Sequence, residues 1–356
     1  MSLFTLYSVL SIPYTLLLHL LSLLSPPRVT PPPPPSAPNG RVALVTGANT
    51  GIGLQTALAL SERGLTVVLA CRDPAKGQAA AALVPRAAFV APLDLASFAS
   101  VRAFAKAYRE RFKRLDVLVN NAGVNSFEAR PPTADGFEHV MQVNFLAAFL
   151  LTDLLLPCLK EGVDARVVNV SSVMHRFATP HETVPAWSKA FLASSPTSHY
   201  SDSKLAAVLF SLELNRRRPS LRSFAVNPGA VNSDIWRSLP ASHPLLYKHL
   251  IAPAFRLLYL TPAQGCATSL AAAILELDPS RSLYLQPYLF PRKPAYANPH
   301  SGLRLYPPAS PLWEIMGVFV GHAAAVPSLP GGDGKGAARA LWKAAAEATG
   351  AGKGVS

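Results

Sequence analysis

"RVALVTGANTGIG", residues 41–53, decides the fold. Its first six residues are a short apolar run with β-branched side chains, the composition of a strand buried on both faces. A glycine turn follows, and a helical pattern runs from about Gly51 to Arg63. Strand, turn and helix in that order leave a helix N-terminus beyond the carboxyl end of the strand. Its free N–H groups and the helix dipole favour an anion there. Gly47 permits the tight turn, Gly51 lets a pyrophosphate approach the backbone, and Gly53 lets helix and strand pack closely. Asn49 and Ile52 lie between these glycines and belong to the same candidate cradle. The competing interpretation is a plain βα turn that holds nothing.

Working outward, the same alternation repeats. "TVVLAC" (66–71), "AAFVAPL" (87–93), "DVLVNN" (116–121), "ARVVNVS" (165–171) and "LRSFAV" (221–226) have strand composition. Helical stretches fall between them, over about 74–84, 97–112 and 136–159, with another starting near Tyr200. Strands alternating with helices of this length predict an α/β fold: one doubly wound parallel sheet, a Rossmann fold, in a single domain. Ligands of such sheets sit beyond the carboxyl ends of the strands. No internal repeat is visible. Beyond about residue 290 a proline-rich stretch reads as loop. "PLWEIMGVFVGHAAAVP" (311–327) reads as a buried or membrane-touching helix, and "AARALWKAAAEATG" (337–350) as a terminal helix.

The glycine spacing is G-x-x-x-G-x-G, not the commoner G-x-G-x-x-G. With "NNAG" (120–123), "VNVSS" (168–172), "YSDSK" (200–204) and "NPG" (227–229) following in order, the chain resembles the short-chain dehydrogenase/reductase family. The resemblance runs from about residue 41 to 290. "ACRDPAKG", the long interval from Ser172 to Tyr200 and the "LWKAAAEATG" end are most similar to membrane-associated, retinol-dehydrogenase-like members and their fungal relatives. It implies an oxidoreductase that moves a hydride between a nicotinamide cofactor and an alcohol or carbonyl. Val231 and Ser233 would contact the nicotinamide end and Asp94 the adenine, although an aspartate there also suits a helix N-cap. Asn120 would line the cofactor cleft; an asparagine at a strand end also buttresses its neighbours.

The tip of the second strand discriminates between cofactors. An acid there binds the ribose 2′-hydroxyl of NAD, and an arginine accommodates the 2′-phosphate of NADP. Here it reads Cys71-Arg72-Asp73, and the acid position falls on Cys71. Arg72 therefore predicts NADP, since a guanidinium matches a phosphate in charge and geometry. Asp73 keeps NAD open, because a shift of one residue reverses the assignment.

Reducing a carbonyl needs a proton donor whose pKa lies near the working pH. A free tyrosine titrates near about 10. Tyr200 and Lys204, at i and i+4, share one helix face, so the ammonium is expected to lower the phenol. Alternatively the pair is only the start of an amphipathic helix. The family resemblance implies four roles. Tyr200 is the acid, Lys204 also holds the nicotinamide ribose, Ser172 bonds the substrate oxygen, and Asn144 holds a water linking Lys204 to solvent. Ser171 is the weaker of the two serines, while Ser201 and Ser203 read as surface groups. His175, His181 and His199 invite a metal site, but no carboxylate or cysteine pattern supports one. The insert that carries them reads as a wall of the substrate pocket. The apolar, aromatic stretch 234–260 reads as a lid for a lipophilic alcohol or ketone, such as a retinoid, steroid or polyketide-like compound.

Residues 3–25 contain no Asp, Glu, Lys or Arg, and the first basic residue is Arg28. That length spans the roughly 30 Å hydrocarbon core. The basic front and small-residue cleavage site of a signal peptide are not clear, so an uncleaved anchor is expected. Arg28 and Arg41 place the rest of the chain on the cytosolic side, and the resemblance points to the endoplasmic reticulum. The expected division is an anchor at 1–25, a proline-rich linker at 26–40, a catalytic domain at 41–300 and an extension at 301–356. The net charge of +13 comes from scattered basic residues, with no aromatic-interleaved stripe for nucleic acid. Arg216–Arg218 sit near a helix C-terminus, where cations oppose the dipole. Three widely spaced cysteines read as small buried hydrophobes. A homo-oligomer is left open. Two rival functions remain: a catalytically idle nucleotide-binding scaffold, and a sugar-nucleotide epimerase, whose relatives carry a different glycine spacing.

Overall fold

The computed structural model describes residues 40–125, 130–178, 192, 199–235, 259–275, 284–285 and 335–351, with short gaps inside those ranges. The anchor at 3–25, the proline-rich linker, His181, most of the 173–198 insert, most of the 234–260 lid and the 311–327 stretch lie outside the described residues.

Six strands fall where apolar β-branched runs predict them: β1 Val42–Thr46, β2 Thr66–Ala70, β3 Ala87–Phe89, β4 Val117–Asn120, β5 Arg166–Val170 and β6 Arg222–Val226. A two-residue strand, β7 Tyr284–Leu285, completes a sheet of order β3-β2-β1-β4-β5-β6-β7. Every pairing is parallel. The order reverses between β1 and β4, which pair through Ala43–Val45 and Val117–Val119. Such a switch point opens a crevice at the carboxyl ends of the strands.

The helices are α1 Gly51–Glu62, α2 Pro74–Leu83, α3 Phe98–Arg111, α4, α5 His199–Arg217, α6 Pro262–Gly265, α7 Ala267–Ile274 and α8 Lys335–Thr349. Helix α4 is composite: α-helical at His139–Met141, a π turn at Gln142–Leu146, then α-helical again at Ala147–Lys160. Successive strand residues point to opposite faces. Leu44, Val68, Leu118 and Val167 pack under α3, α4, α5 and α8, while Val45, Leu69, Val119 and Val168 pack under α1, α2 and α7. His139–Leu159 is long and apolar enough to cross a membrane, but it is mostly buried between sheet and helices. Its apolarity is that of a core helix.

The terminal helix α8 lies on α4 and α5. The Trp342 ring centre is 5.0 Å from that of Phe149 and 5.7 Å from that of Phe210, and the Arg217 guanidinium stacks 4.7 Å over Trp342. Arg102 of α3 donates to the Thr349 carbonyl at 2.6 Å, satisfying one of the helix's terminal acceptors. Arg216 and Arg217 stand in the last turn of α5, and both pair with buried Glu213. Cys71, Cys158 and Cys266 are buried, and none of the three is in a disulfide.

Candidate active site

The glycine turn and the tips of β4 and β5 meet at the switch point. Thr46 and Asn121 clamp the turn to β4. The Asn121 amide donates to the Thr46 carbonyl at 2.8 Å, and Thr46 Oγ1 accepts from the N–H groups of Asn121 and Ala122 at 3.0 Å each. Gly47 and Gly51 have φ of +64° and +57°, the left-handed region that disfavours side chains. A Cβ at Gly53 would lie 2.3 Å from the Gly47 carbonyl oxygen, so only glycine fits. Around Gly51 the space is open, with Ser233 Cβ 3.8 Å from where a Cβ would stand.

The Thr50 side chain does not cap α1, whereas Asp73, Ser97 and Glu138 cap α2, α3 and α4. An uncapped N-terminus behind an open glycine fits the pyrophosphate of a dinucleotide. The Ile52 and Val231 side chains lie against α6: a Cβ at Gly265 would stand 2.5 Å from Val231 and 3.5 Å from Ile52. Val231 also bridges Leu260, which fixes the chain leading to Ser233.

At the adenosine end, Cys71 is 1% exposed, beneath the backbone of Ala48 and Asn49. Burial raises its thiol to about 11, and it is a packed group with no reach to a ribose. The Asp73 carboxylate accepts from the N–H groups of Ala75 at 2.9 Å and Lys76 at 3.2 Å. The residue that favoured NAD is thus engaged as a helix cap, and Arg72 stands exposed beside it. Asp94 accepts from Ala96 N–H at 3.0 Å, and its loop is held to the β2 tip by Leu93 N–H to the Cys71 carbonyl at 2.9 Å. It closes a turn ahead of α3, whose cap is Ser97. Asn120 faces inward rather than into the cleft. Its amide donates to Asn169 of β5 at 2.8 Å and Thr152 of α4 at 3.3 Å, the buttressing alternative.

Tyr200, Ser172 and Lys204 come together above β5. Ser172 follows β5 and hydrogen-bonds the Tyr200 hydroxyl. Ser171 is committed elsewhere, donating to the Lys204 carbonyl at 2.8 Å. That leaves Ser172 facing the phenol. Lys204 is 4% exposed, donates to the Val170 carbonyl at 2.9 Å, and sits 5.4 Å from the Tyr200 ring centre.

The electrostatics depart from the sequence expectation. Burial pushes the Tyr200 hydroxyl up to about 12, with the Ser172 hydrogen bond pulling it back. Burial alone brings Lys204 down to about 8. The ammonium does not lower the phenol in the protein by itself. It is turned onto the Val170 carbonyl, and the phenol's shift is set by burial against the Ser172 hydrogen bond.

Asn144 lies inside the π turn of α4, where Ala147 N–H reaches back to the Gln142 carbonyl. Such turns break the regular ladder and recur at functional sites. Its Oδ1 accepts from Val124 N–H at 2.8 Å, and its amide donates to the Val124 carbonyl and to Ser203 Oγ at 3.0 Å each. A Cβ at Gly123 would stand 3.3 Å from Asn144 Oδ1 and 3.4 Å from Lys204 Nζ. Amide and ammonium therefore border one small gap that a glycine keeps open. Ser201 and Ser203 are not surface groups; both are fully buried, because α5 is enclosed by sheet, α4 and α8. Among the described residues no cluster of His, Cys, Asp or Glu has metal-site geometry. His175 instead bonds the Ser172 carbonyl at 2.7 Å, and His199 lies 3.6 Å from Glu138.

The short chain dehydrogenase family profile matches residues 41–243. Retinol dehydrogenase 11 of Mus musculus is 41% identical over 247 residues, covering 67% of this chain and 74% of that protein. Polyprenol dehydrogenase of Mus musculus is 43% identical over 221 residues, covering 58% and 64%. Among solved structures, Pseudomonas aeruginosa RhlG in an NADP active-site complex is 29% identical with a TM-score of 0.52, covering 66% of this chain and 89% of that one.

Proposed function

Because the chain belongs to the short-chain dehydrogenase family and is an oxidoreductase of it, we propose that it interconverts an alcohol and a carbonyl on a lipophilic small molecule with NADP. The observation that carries this reading is the convergence of Tyr200, Ser172 and Lys204 at the carboxyl end of β5, at the same end of the sheet as the uncapped α1. NADP, when bound, supplies the hydride and, in its oxidised form, a positive charge on the nicotinamide ring. Gly47, Asn49, Gly51 and the α1 N-terminus would hold its pyrophosphate. Arg72 would take the 2′-phosphate, Asp94 would border the adenine, and Ser233 would close the turn from the opposite side.

In reduction, Ser172 Oγ donates to the substrate oxygen and keeps it beside the phenol. Tyr200 Oη gives its proton to that oxygen as the alcohol forms, and takes it back in oxidation. Lys204, held on the Val170 carbonyl, restores the proton through the gap it shares with Asn144. A phenol at about 12 keeps its proton at neutral pH, so it enters reduction in the protonated form.

The lipophilic substrate is supported by the apolar composition of 234–260 and by the retinol and polyprenol named in the similar proteins. The uncharged stretch at 3–25 is proposed as an anchor in the endoplasmic reticulum membrane, with the 41–300 domain on the cytosolic side. The test is NADPH oxidation by the detergent-solubilised chain with a panel of hydrophobic aldehydes and ketones, all-trans-retinal among them. Turnover that disappears in Tyr200→Phe supports the reading. NADPH binding with no turnover across the panel contradicts it.

A further inference from the structure

We propose that Ser203 is a positioning residue for the proton relay, holding Asn144 in register with Tyr200; this rests on the function proposed above. Ser203 is 0% exposed. Its hydroxyl donates to the Tyr200 carbonyl at 2.7 Å and accepts from the Asn144 amide at 3.0 Å. An amide N–H can only donate, so the serine proton has to go to Tyr200 and its lone pair to Asn144. The bond to Val124 fixes one edge of the Asn144 amide, and Ser203 fixes the other.

Three pieces of chain are joined this way: the loop after β4, the π turn of α4 and the first turn of α5. Both Asn144 donors are used, so the amide cannot rotate without breaking a buried hydrogen bond. One lone pair of Oδ1 remains. The gap at Gly123, bordered by Oδ1 and Lys204 Nζ, is the space that lone pair can serve. A rotated amide would turn N–H groups toward the ammonium, a repulsive arrangement that would empty the gap of its acceptor. Ser203 therefore acts through Asn144, and its loss should slow proton return without changing how substrate or NADP binds.

The test is a double-mutant cycle in the full chain, with NADPH oxidation by all-trans-retinal as the assay. Ser203→Ala is expected to lower kcat about 10-fold, the cost of one buried hydrogen bond. KM for retinal and for NADPH should stay within about 2-fold. In an Asn144→Ala background the same substitution should lower kcat less than about 2-fold, since the group it positions is gone. A merely structural serine gives equal losses in both backgrounds. The inference is overturned by additive losses, by KM rising in step with the fall in kcat, or by a Ser203→Ala kcat within about 2-fold of the parent. Should Ser203→Ala fold poorly, Ser203→Thr, which keeps the hydroxyl, must retain the parent pH profile, and a shifted profile counts against the inference. Persistent activity in Tyr200→Phe would sink the underlying function instead. That outcome is distinct from an active parent, an inactive Tyr200→Phe and an unaffected Ser203→Ala.

Discussion

Replacing Lys204 with methionine is expected to remove activity and yet stabilise the fold at neutral pH. The ammonium is 4% exposed, and burial lowers its pKa from 10.5 to about 8. At about 1.36 kcal/mol per unit, the buried charge costs about 3 kcal/mol at pH 7. Against this, methionine leaves the Val170 carbonyl without its 2.9 Å partner, a loss of about 1–3 kcal/mol. The net gain at pH 7 is then of order 1 kcal/mol.

The pH dependence is the cleaner signal, because the Val170 loss does not titrate. The folded pKa lies below the unfolded one, so between pH 8 and 10.5 the unfolded chain holds a proton that the native chain has lost. Parent stability therefore rises with pH across that window, and Lys204→Met abolishes the rise. The gap between the two chains should shift by about 2–3 kcal/mol in favour of the parent from pH 7 to pH 10. Tyr200, raised to about 12, acts with the opposite sign above pH 10, and the series stops there. Urea unfolding of both chains in detergent micelles, followed by tryptophan fluorescence, reads the gap directly. A gap that stays flat from pH 7 to 10 would refute the buried, depressed lysine.

Other outcomes follow from the same geometry. Arg72→Ala should cut kcat/KM for NADPH about 10–100-fold and leave NADH within a few-fold, the loss of one charge-assisted phosphate contact; steady-state kinetics with both cofactors decides it. Gly53→Ala places a methyl 2.3 Å from the Gly47 carbonyl, and thermal unfolding should show a loss of about 1–3 kcal/mol together with weakened NADPH fluorescence binding. Trp342→Ala strips the ring that Phe149, Phe210 and Arg217 pack against, and should cost about 2–3 kcal/mol in urea unfolding with kcat little changed.

The layered sheet was legible because β1, β2, β4, β5 and β6 are short apolar runs, and their burial on both faces follows from composition. Helix α2 was legible from Pro74 after Asp73, a cap and a first-turn proline. The π turn in α4 was not, since one extra residue in a turn hardly disturbs a helical pattern of apolar positions. Strand β7 is too short to carry a signal. Helix α6 opens on a capping box of Thr261 and Gln264 with Pro262 between them, a readable start that went unassigned.

In the site, spacing paired Tyr200 with Lys204, and the family resemblance added Ser172. They could not tell where Lys204 aims its ammonium, since that depends on the Val170 carbonyl of another element. Ser203 was misjudged for a similar reason. A hydroxyl reads as surface in sequence, and only the packing of α4 and α8 around α5 buries it. Thr46 and the second asparagine of "NNAG", Asn121, went unnoticed although both sit inside recognised motifs.

The Tyr200 hydroxyl as proton donor is the claim on which the rest depends, and Tyr200→Phe removes that one oxygen while keeping the ring. With saturating NADPH and all-trans-retinal, kcat should fall at least about 1,000-fold, while NADPH affinity by fluorescence stays within about 3-fold of the parent. A Tyr200→Phe chain that turns over within about 3-fold of the parent would contradict the account.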